Sequence, residues 1–186
     1  GDLAKVKIFP ALYALAEQKR FPKEYFIYGF ARSKKTTEEF RSDFEKSVKE
    51  NGHTDEKILQ ELLSHIFYFT GQYDEESSFQ TFTQAVLSKT HQKKIPSIHY
   101  LAVPPQGFSP IIELLASHRR VLGDDMKLVI EKPFGYDEKS ANDLFHQVSM
   151  HFDQENVFLL DHYMGKEAVQ SILALRYANS ILNTLL

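Results

Sequence analysis

Cysteine is absent from this chain, so it can build neither a disulfide framework nor a thiolate metal site. The absence fits a reducing compartment, and a cytoplasmic location is expected. Basic charge is not in excess: 22 Lys and Arg stand against 25 Asp and Glu, for a formal net charge of −3. The cations are spread along the chain rather than massed, so no nucleic-acid partner is expected. No apolar run is long enough to span a membrane, so no membrane partner is expected either. The chain carries no internal repeat and no low-complexity segment. No secretory signal is visible at the amino end. That absence has little weight, because the chain reads as opening within a motif. What is present is ordinary for a globular protein: 186 residues, 42% hydrophobic and 25% charged, enough for one domain, 1–186, with a sizeable core.

Five short apolar runs punctuate the sequence: Tyr25–Ala31, His65–Gly71, Ile98–Pro105, Lys127–Gly135 and Asn156–Tyr163. Each has the length of a strand, and nearly unbroken apolar runs suit parallel strands covered on both faces. Helical spacing fills the intervals: Asp2–Glu17, Thr36–Asn51, Thr54–Ser64, Asp74–Lys89, Phe108–Leu122, Asp137–Phe152 and Lys166–Asn179. Strand and helix in alternation imply right-handed crossovers and an α/β, doubly wound, mostly parallel sheet. Ligands of such sheets sit outside the carboxyl ends of the strands. Polar residues do cluster there: Arg32 and Ser33, Gln72 and Tyr73, Lys132, and Asp161 to Lys166. A strand end is commonly polar for no further reason, so each cluster needs its own chemistry to count.

At the amino end, Gly1 and Asp2 open a helical pattern. A helix start offers free N–H groups to a phosphate, but the same pair serves equally as a plain cap. After the first strand the chain presents Arg32, Ser33, Lys34 and Lys35, with no acid before Glu38. In a dinucleotide fold that position meets the adenosine ribose, and an arginine there accommodates the 2′-phosphate of NADP. A solvated basic turn is the plainer reading. Lys132 precedes Pro133, which holds the lysine backbone extended and allows a cis bond. Beside it, Glu131 is a salt-bridge partner or a second polar ligand. Asp161 is placed to hold an imidazole in one tautomer. His162, Tyr163 and Lys166 offer three donors near a helix start, a set that suits a phosphate. Asp161 and His162 could ligate a metal, but neighbours in sequence make a poor cage and Lys166 would repel the cation, so no metal is expected.

The segments GDLAK, FARS, GQYD, YLAVPP, EKPFG and DHYMGKE occur here in that order. In this order they resemble the nucleotide-binding domain of glucose-6-phosphate dehydrogenases, from one end of the chain to the other. The resemblance implies a Rossmann-type fold and an oxidoreductase of the oxidative pentose phosphate pathway. The reaction implied is oxidation of glucose 6-phosphate to 6-phosphogluconolactone with reduction of NADP, NAD being a second candidate. It implies cofactor contacts at Gly1, Asp2, Leu3, Ala4, Lys5, Arg32, Tyr100, Lys132 and Pro133. Substrate contacts are implied at Lys132, His162, Tyr163 and Lys166. The catalytic group implied is Lys132 with Asp161, which orients a general-base histidine outside this chain. By the same resemblance, the fingerprint's first glycine, the first strand and a second α+β domain for substrate and dimer contacts are expected to be absent. None of the eight histidines matches the base. Met164 stands where leucine is commoner, a volume-conserving difference. The fragment alone is expected to be inactive, and the complete enzyme a homo-oligomer. Two alternatives stand beside this reading: a non-catalytic nucleotide-binding module, and a related sugar dehydrogenase. The phosphate-binding set argues against an unphosphorylated sugar.

Overall fold

The computed structural model describes residues 4–52, 54–91 and 95–161. Among them, residues up to Ser97 together with Ala102–Asp125 form one compact unit. Ile98–Leu101 and the residues from Met126 onward form a second.

In the first unit the chain opens as a π-helical turn, Ala4–Ile8, running into α1, Phe9–Glu17. Pro10 leaves one carbonyl of this turn without its backbone donor. In an i→i+5 ladder the Lys5 carbonyl would face the nitrogen of Pro10, which carries no hydrogen. The buried Ser47 hydroxyl donates to that carbonyl instead. Strand β1, Ile27–Ala31, pairs in parallel with β2, Ile66–Thr70. Between them lie α2, Thr37–Glu50, and α3, Glu56–Ser64. Thr36 and Glu39 form a capping box at the start of α2, each side chain accepting from the other's backbone N–H. Asp55 accepts from Lys57 and Ile58 at the start of α3. Phe9, Tyr13, Phe44, Val48, Leu59, Leu62, Leu63 and Ile66 form the core here. After β2 come α4, Glu76–Lys89, then α5, Phe108–Ser117, and α6, Arg119–Leu122. The sequence pattern had α5 and α6 as one helix. His118 separates them, leaving the helical region at φ −95° and ψ 8°, with its Nδ1 3.0 Å from the Leu114 carbonyl.

The second unit holds Ile98–Leu101 of strand β3, Ser97–Leu101, which belongs to a sheet ordered β3-β4-β5. Strand β4, Met126–Glu131, runs parallel to β5, Val157–Leu160. Helix α7, Glu138–His151, connects them and starts with a second capping box, Asp137 with Ser140. Every strand expected from sequence is present; all but β1 end earlier than expected, and β3 and β4 each begin one residue sooner.

The α/β fold with parallel pairing is as expected, and its described strands pair as two sheets, β1-β2 and β3-β4-β5. In the doubly wound order, the first strand lies between the second and the fourth. The observed groups are those that this order leaves without it. One expectation needs correction, that of strands covered on both faces: on β4 the alternate residues Met126, Leu128 and Ile130 bury one face fully while Lys127 and Val129 on the other are half-buried, and β5 is more open still. Phe158 and Leu159 are each 45% exposed. Among the described residues, strand β5 pairs on one side only. Among the described residues, no helix is long and apolar enough to cross a membrane.

Candidate functional site

Each unit gathers polar side chains at the carboxyl end of its strands, and each gathering is held by the local fold. In the first unit, the turn after β1 is pinned through the Ser33 carbonyl. That oxygen accepts from the Tyr68 hydroxyl at 2.6 Å and from Thr70 Oγ1 at 3.3 Å. Arg32 is therefore presented from a fixed backbone. Its side chain is exposed, with the guanidinium carbon 5.4 Å from the centre of the Tyr73 ring. Gly71 brings the next turn close. A Cβ there would lie 2.5 Å from the Phe30 ring, so no larger residue fits without displacement. Lys35, three positions after Arg32, donates to the Asp43 carboxylate of α2. Asp43 also takes Lys5, 3.0 Å away. The hydrogen bond to Asp43 raises the pKa of Lys35, and the bonds from Lys35 and Lys5 lower that of Asp43. Ala4 packs, half-buried, against the core.

In the second unit, the β4–β5 register continues one residue past the strand, Lys132 N–H donating to the Leu160 carbonyl at 3.4 Å. That bond sets Lys132 and Asp161 side by side, and the Lys132 ammonium donates to the Asp161 carboxylate. The Lys132–Pro133 bond is cis. Glu131, buried at the last position of β4, accepts from the Tyr100 hydroxyl of β3. Gly135 ends the EKPFG segment because the loop closes on the start of α7. A Cβ there would lie 2.6 Å from the Ala141 nitrogen. On β3, His99 keeps some accessible surface. Even so, the protein around its ring pushes its pKa down to about 4, so the ring is neutral at physiological pH.

Of the residues singled out from sequence, Tyr100, Lys132, Pro133 and Asp161 lie within the second unit, where Lys132 and Asp161 are paired. Ala4, Lys5 and Arg32 belong to the first. Gly1, Asp2, Leu3, His162, Tyr163 and Lys166 lie outside the described residues. Sequence reasoning missed Asp43, Ser47 and His99. Asp43 and Ser47 are four apart on one helix face, but nothing in their spacing names the lysines they meet. Among the described residues, no three His, Asp or Glu side chains are grouped to hold a metal ion.

The chemistry available is anion binding and proton handling. An exposed guanidinium at a strand end suits a phosphate, and it can form two parallel hydrogen bonds to it. A lysine on a carboxylate at the end of a neighbouring strand suits an oxygen that carries or loses a proton.

Comparison with known proteins identifies the family of the chain. Residues 1–171 match the family model described as the NAD binding domain of glucose-6-phosphate dehydrogenase. The cytoplasmic glucose-6-phosphate 1-dehydrogenase 5 of Arabidopsis thaliana is 37% identical, over 97% of this chain and 37% of its own length. The glucose-6-phosphate 1-dehydrogenase of Hanseniaspora uvarum is 36% identical, over 99% of this chain and 39% of its own. Among solved structures, a glucose-6-phosphate dehydrogenase in complex with its substrate glucose-6-phosphate superposes with a TM-score of 0.84 at 32% identity, covering 99% of this chain and 39% of that one. The enzyme from Mycobacterium avium gives 0.83 at 28% identity, covering 100% of this chain and 39% of its own. The chain thus spans well under half the length of the curated relatives it matches.

Proposed function

The chain belongs to the glucose-6-phosphate dehydrogenase family, and on that premise we propose that the full protein oxidises glucose 6-phosphate at its first carbon to 6-phosphogluconolactone, with NADP reduced. Residues 1–186 act as its nucleotide-binding domain. Family membership gives a nicotinamide dinucleotide as cofactor. The choice of NADP over NAD rests on Arg32, whose exposed guanidinium closes β1 where an acid would favour NAD. The observation that carries the catalytic reading is the pairing of Lys132 with Asp161 at adjacent parallel strand ends, where ligands of such sheets bind.

Each residue then has a role. Gly1, Asp2, Leu3, Ala4 and Lys5 contact the cofactor. Arg32 binds the 2′-phosphate. Tyr100, Lys132 and Pro133 line the nicotinamide end. NADP, when bound, supplies the acceptor for the two electrons and the hydrogen that leave the sugar. His162, Tyr163 and Lys166 hold the sugar phosphate, which fixes the reacting carbon by orientation. Lys132 reaches both cofactor and sugar. Asp161 orients a general-base histidine that lies outside these 186 residues. The protein works as a homo-oligomer in the cytoplasm, as the name of the Arabidopsis relative states for that protein's location.

The test is NADPH formation by the full-length protein with glucose 6-phosphate, run beside NAD and beside plain glucose. Turnover that needs the phosphate and is faster with NADP is expected. A folded protein that binds NADP but turns over nothing would overturn the catalytic reading. Equal rates with plain glucose would overturn the roles of His162, Tyr163 and Lys166.

A further inference from the structure

Helix α2 engages two lysines from different segments. The Asp43 carboxylate lies 3.0 Å from Lys5 Nζ through one oxygen and accepts from Lys35 through the other. One turn along the same face, Ser47 donates to the Lys5 carbonyl. Lys5 is thereby fixed at backbone and side chain by a single helix face. The two lysines come from the two segments of this unit that the cofactor reading assigns to NADP. Lys5 stands at the helix start, and Lys35 stands on the turn that carries Arg32. Arg32 is treated differently. It is exposed and lies over the Tyr73 ring, while Lys35 is turned onto the helix.

We propose that Asp43 is a positioning residue that sets the preference between NADP and NAD: it withholds Lys35 from the 2′-phosphate and leaves Arg32 to read that group. The proposal rests on the cofactor reading above. A lysine is a point charge on a flexible four-carbon stem, so Lys35, three positions after Arg32, can reach an anion bound there once it is released. While Asp43 holds it, its charge is compensated locally. The mutual pKa shifts of the pair keep both partners charged through the neutral range. The two lysines leave separable traces. Lys5 stands by the part of the dinucleotide that both cofactors share, so its release alters NAD and NADP together. Lys35 stands on the turn for the 2′-phosphate, so its release alters only ligands that carry that group.

Dissociation constants for NADP, NAD and adenosine 2′,5′-bisphosphate, measured by titration calorimetry on the full-length protein, test this. Asp43→Asn should tighten NADP and the bisphosphate about fivefold relative to NAD, the scale of one exposed ion pair. Lys35→Ala alone should stay within about twofold of wild type, because its charge is already compensated. Asp43→Asn combined with Lys35→Ala should lose the gain, and Asp43→Glu should keep the wild-type ratio. A gain that survives in the Lys35→Ala background would mean that Asp43 acts by its own charge, and the proposal fails. Equal weakening of all three ligands by Asp43→Asn would mean a purely structural role, and the proposal fails. Arg32→Ala separates the two levels. If it leaves NADP affinity unchanged, the cofactor reading itself fails. If it weakens NADP while Asp43→Asn does nothing, only the role of Asp43 falls.

Discussion

Both compact units set a lysine on an aspartate, and the two aspartates are equally exposed, at 26% of the side chain. Their settings differ. Asp43 sits within a 14-residue helix that is capped at its start and carries Phe44 and Val48 into the core. Asp161 follows a four-residue strand whose last three side chains stay exposed. A carboxylate on a packed helix is fixed by the helix, whereas one beyond an open strand is fixed chiefly by its partner. Asp43 also holds two ammonium groups, so losing one leaves it paired. The first setting suits a permanent brace. The second suits a pair that exchanges partners when a ligand arrives.

The largest effects should come from the cores beneath these settings. Phe44→Ala and Leu128→Ala each delete a fully buried side chain, and urea unfolding should show losses of about 3–5 and about 2–5 kcal/mol. Leu159→Ala, on the open strand, should cost under about 1 kcal/mol. An equally large loss at Leu159 would mean that residues outside the described ones cover β5.

Next comes pH. His99 has a folded pKa near 4 against an ordinary value of 6.5. Above about 6.5 the ring is neutral in both folded and unfolded chains, and its effect on stability is constant. Between about 6.5 and 4 the unfolded chain takes up a proton that the folded chain refuses, so stability falls, by at most about 3 kcal/mol. The Asp43–Lys35 pair does not contribute to this fall. Asp43, with its pKa lowered, loses its contribution only as pH drops below the ordinary 3.8, and Lys35, with its pKa raised, only above the ordinary 10.5. Unfolding measured from pH 7 to pH 4 should therefore flatten in His99→Phe and stay unchanged in slope in Asp43→Asn.

The two lysines should differ in catalysis. Lys132→Ala should lower kcat/KM for glucose 6-phosphate about a hundredfold, the scale of losing one charged donor at a reacting oxygen. Lys35→Ala should leave it within about twofold, as expected for a compensated surface charge. The reverse order would exchange the assignments of brace and exchanging pair. The smallest effects belong to the matched helix caps. Thr36→Ala and Asp137→Ala should each cost about 1 kcal/mol, and a marked inequality would show that one unit leans on its helix start more than the other.

Much of the fold was legible because periodicity is a local signal. The apolar runs His65–Gly71 and Lys127–Gly135 announced the strands found at Ile66–Thr70 and Met126–Glu131, and Thr36 and Asp137 announced helix starts. Glycines within the quoted segments were visible as letters only. Gly71 is required by contact with Phe30, far away in the chain, and Gly135 by the fold of its own loop onto Ala141. The site was legible in its residue types, since Arg32, Lys132 and Asp161 all stand at strand ends. Their partners were not. Nothing local tells Asp43 to take Lys5, 38 positions before it in the chain, or turns Glu131 toward Tyr100.

The sequence by itself determined the order of strands and helices, the absence of thiol chemistry, and which chemical groups stand where strands end. These follow from hydrophobic period, capping preference and composition, each of which acts over a few residues. Tertiary structure alone decided which cation meets which carboxylate, that the described strands form two sheets, and that His99 stays neutral. Those outcomes depend on the separation and desolvation of groups far apart in the chain, and only the packed fold sets both.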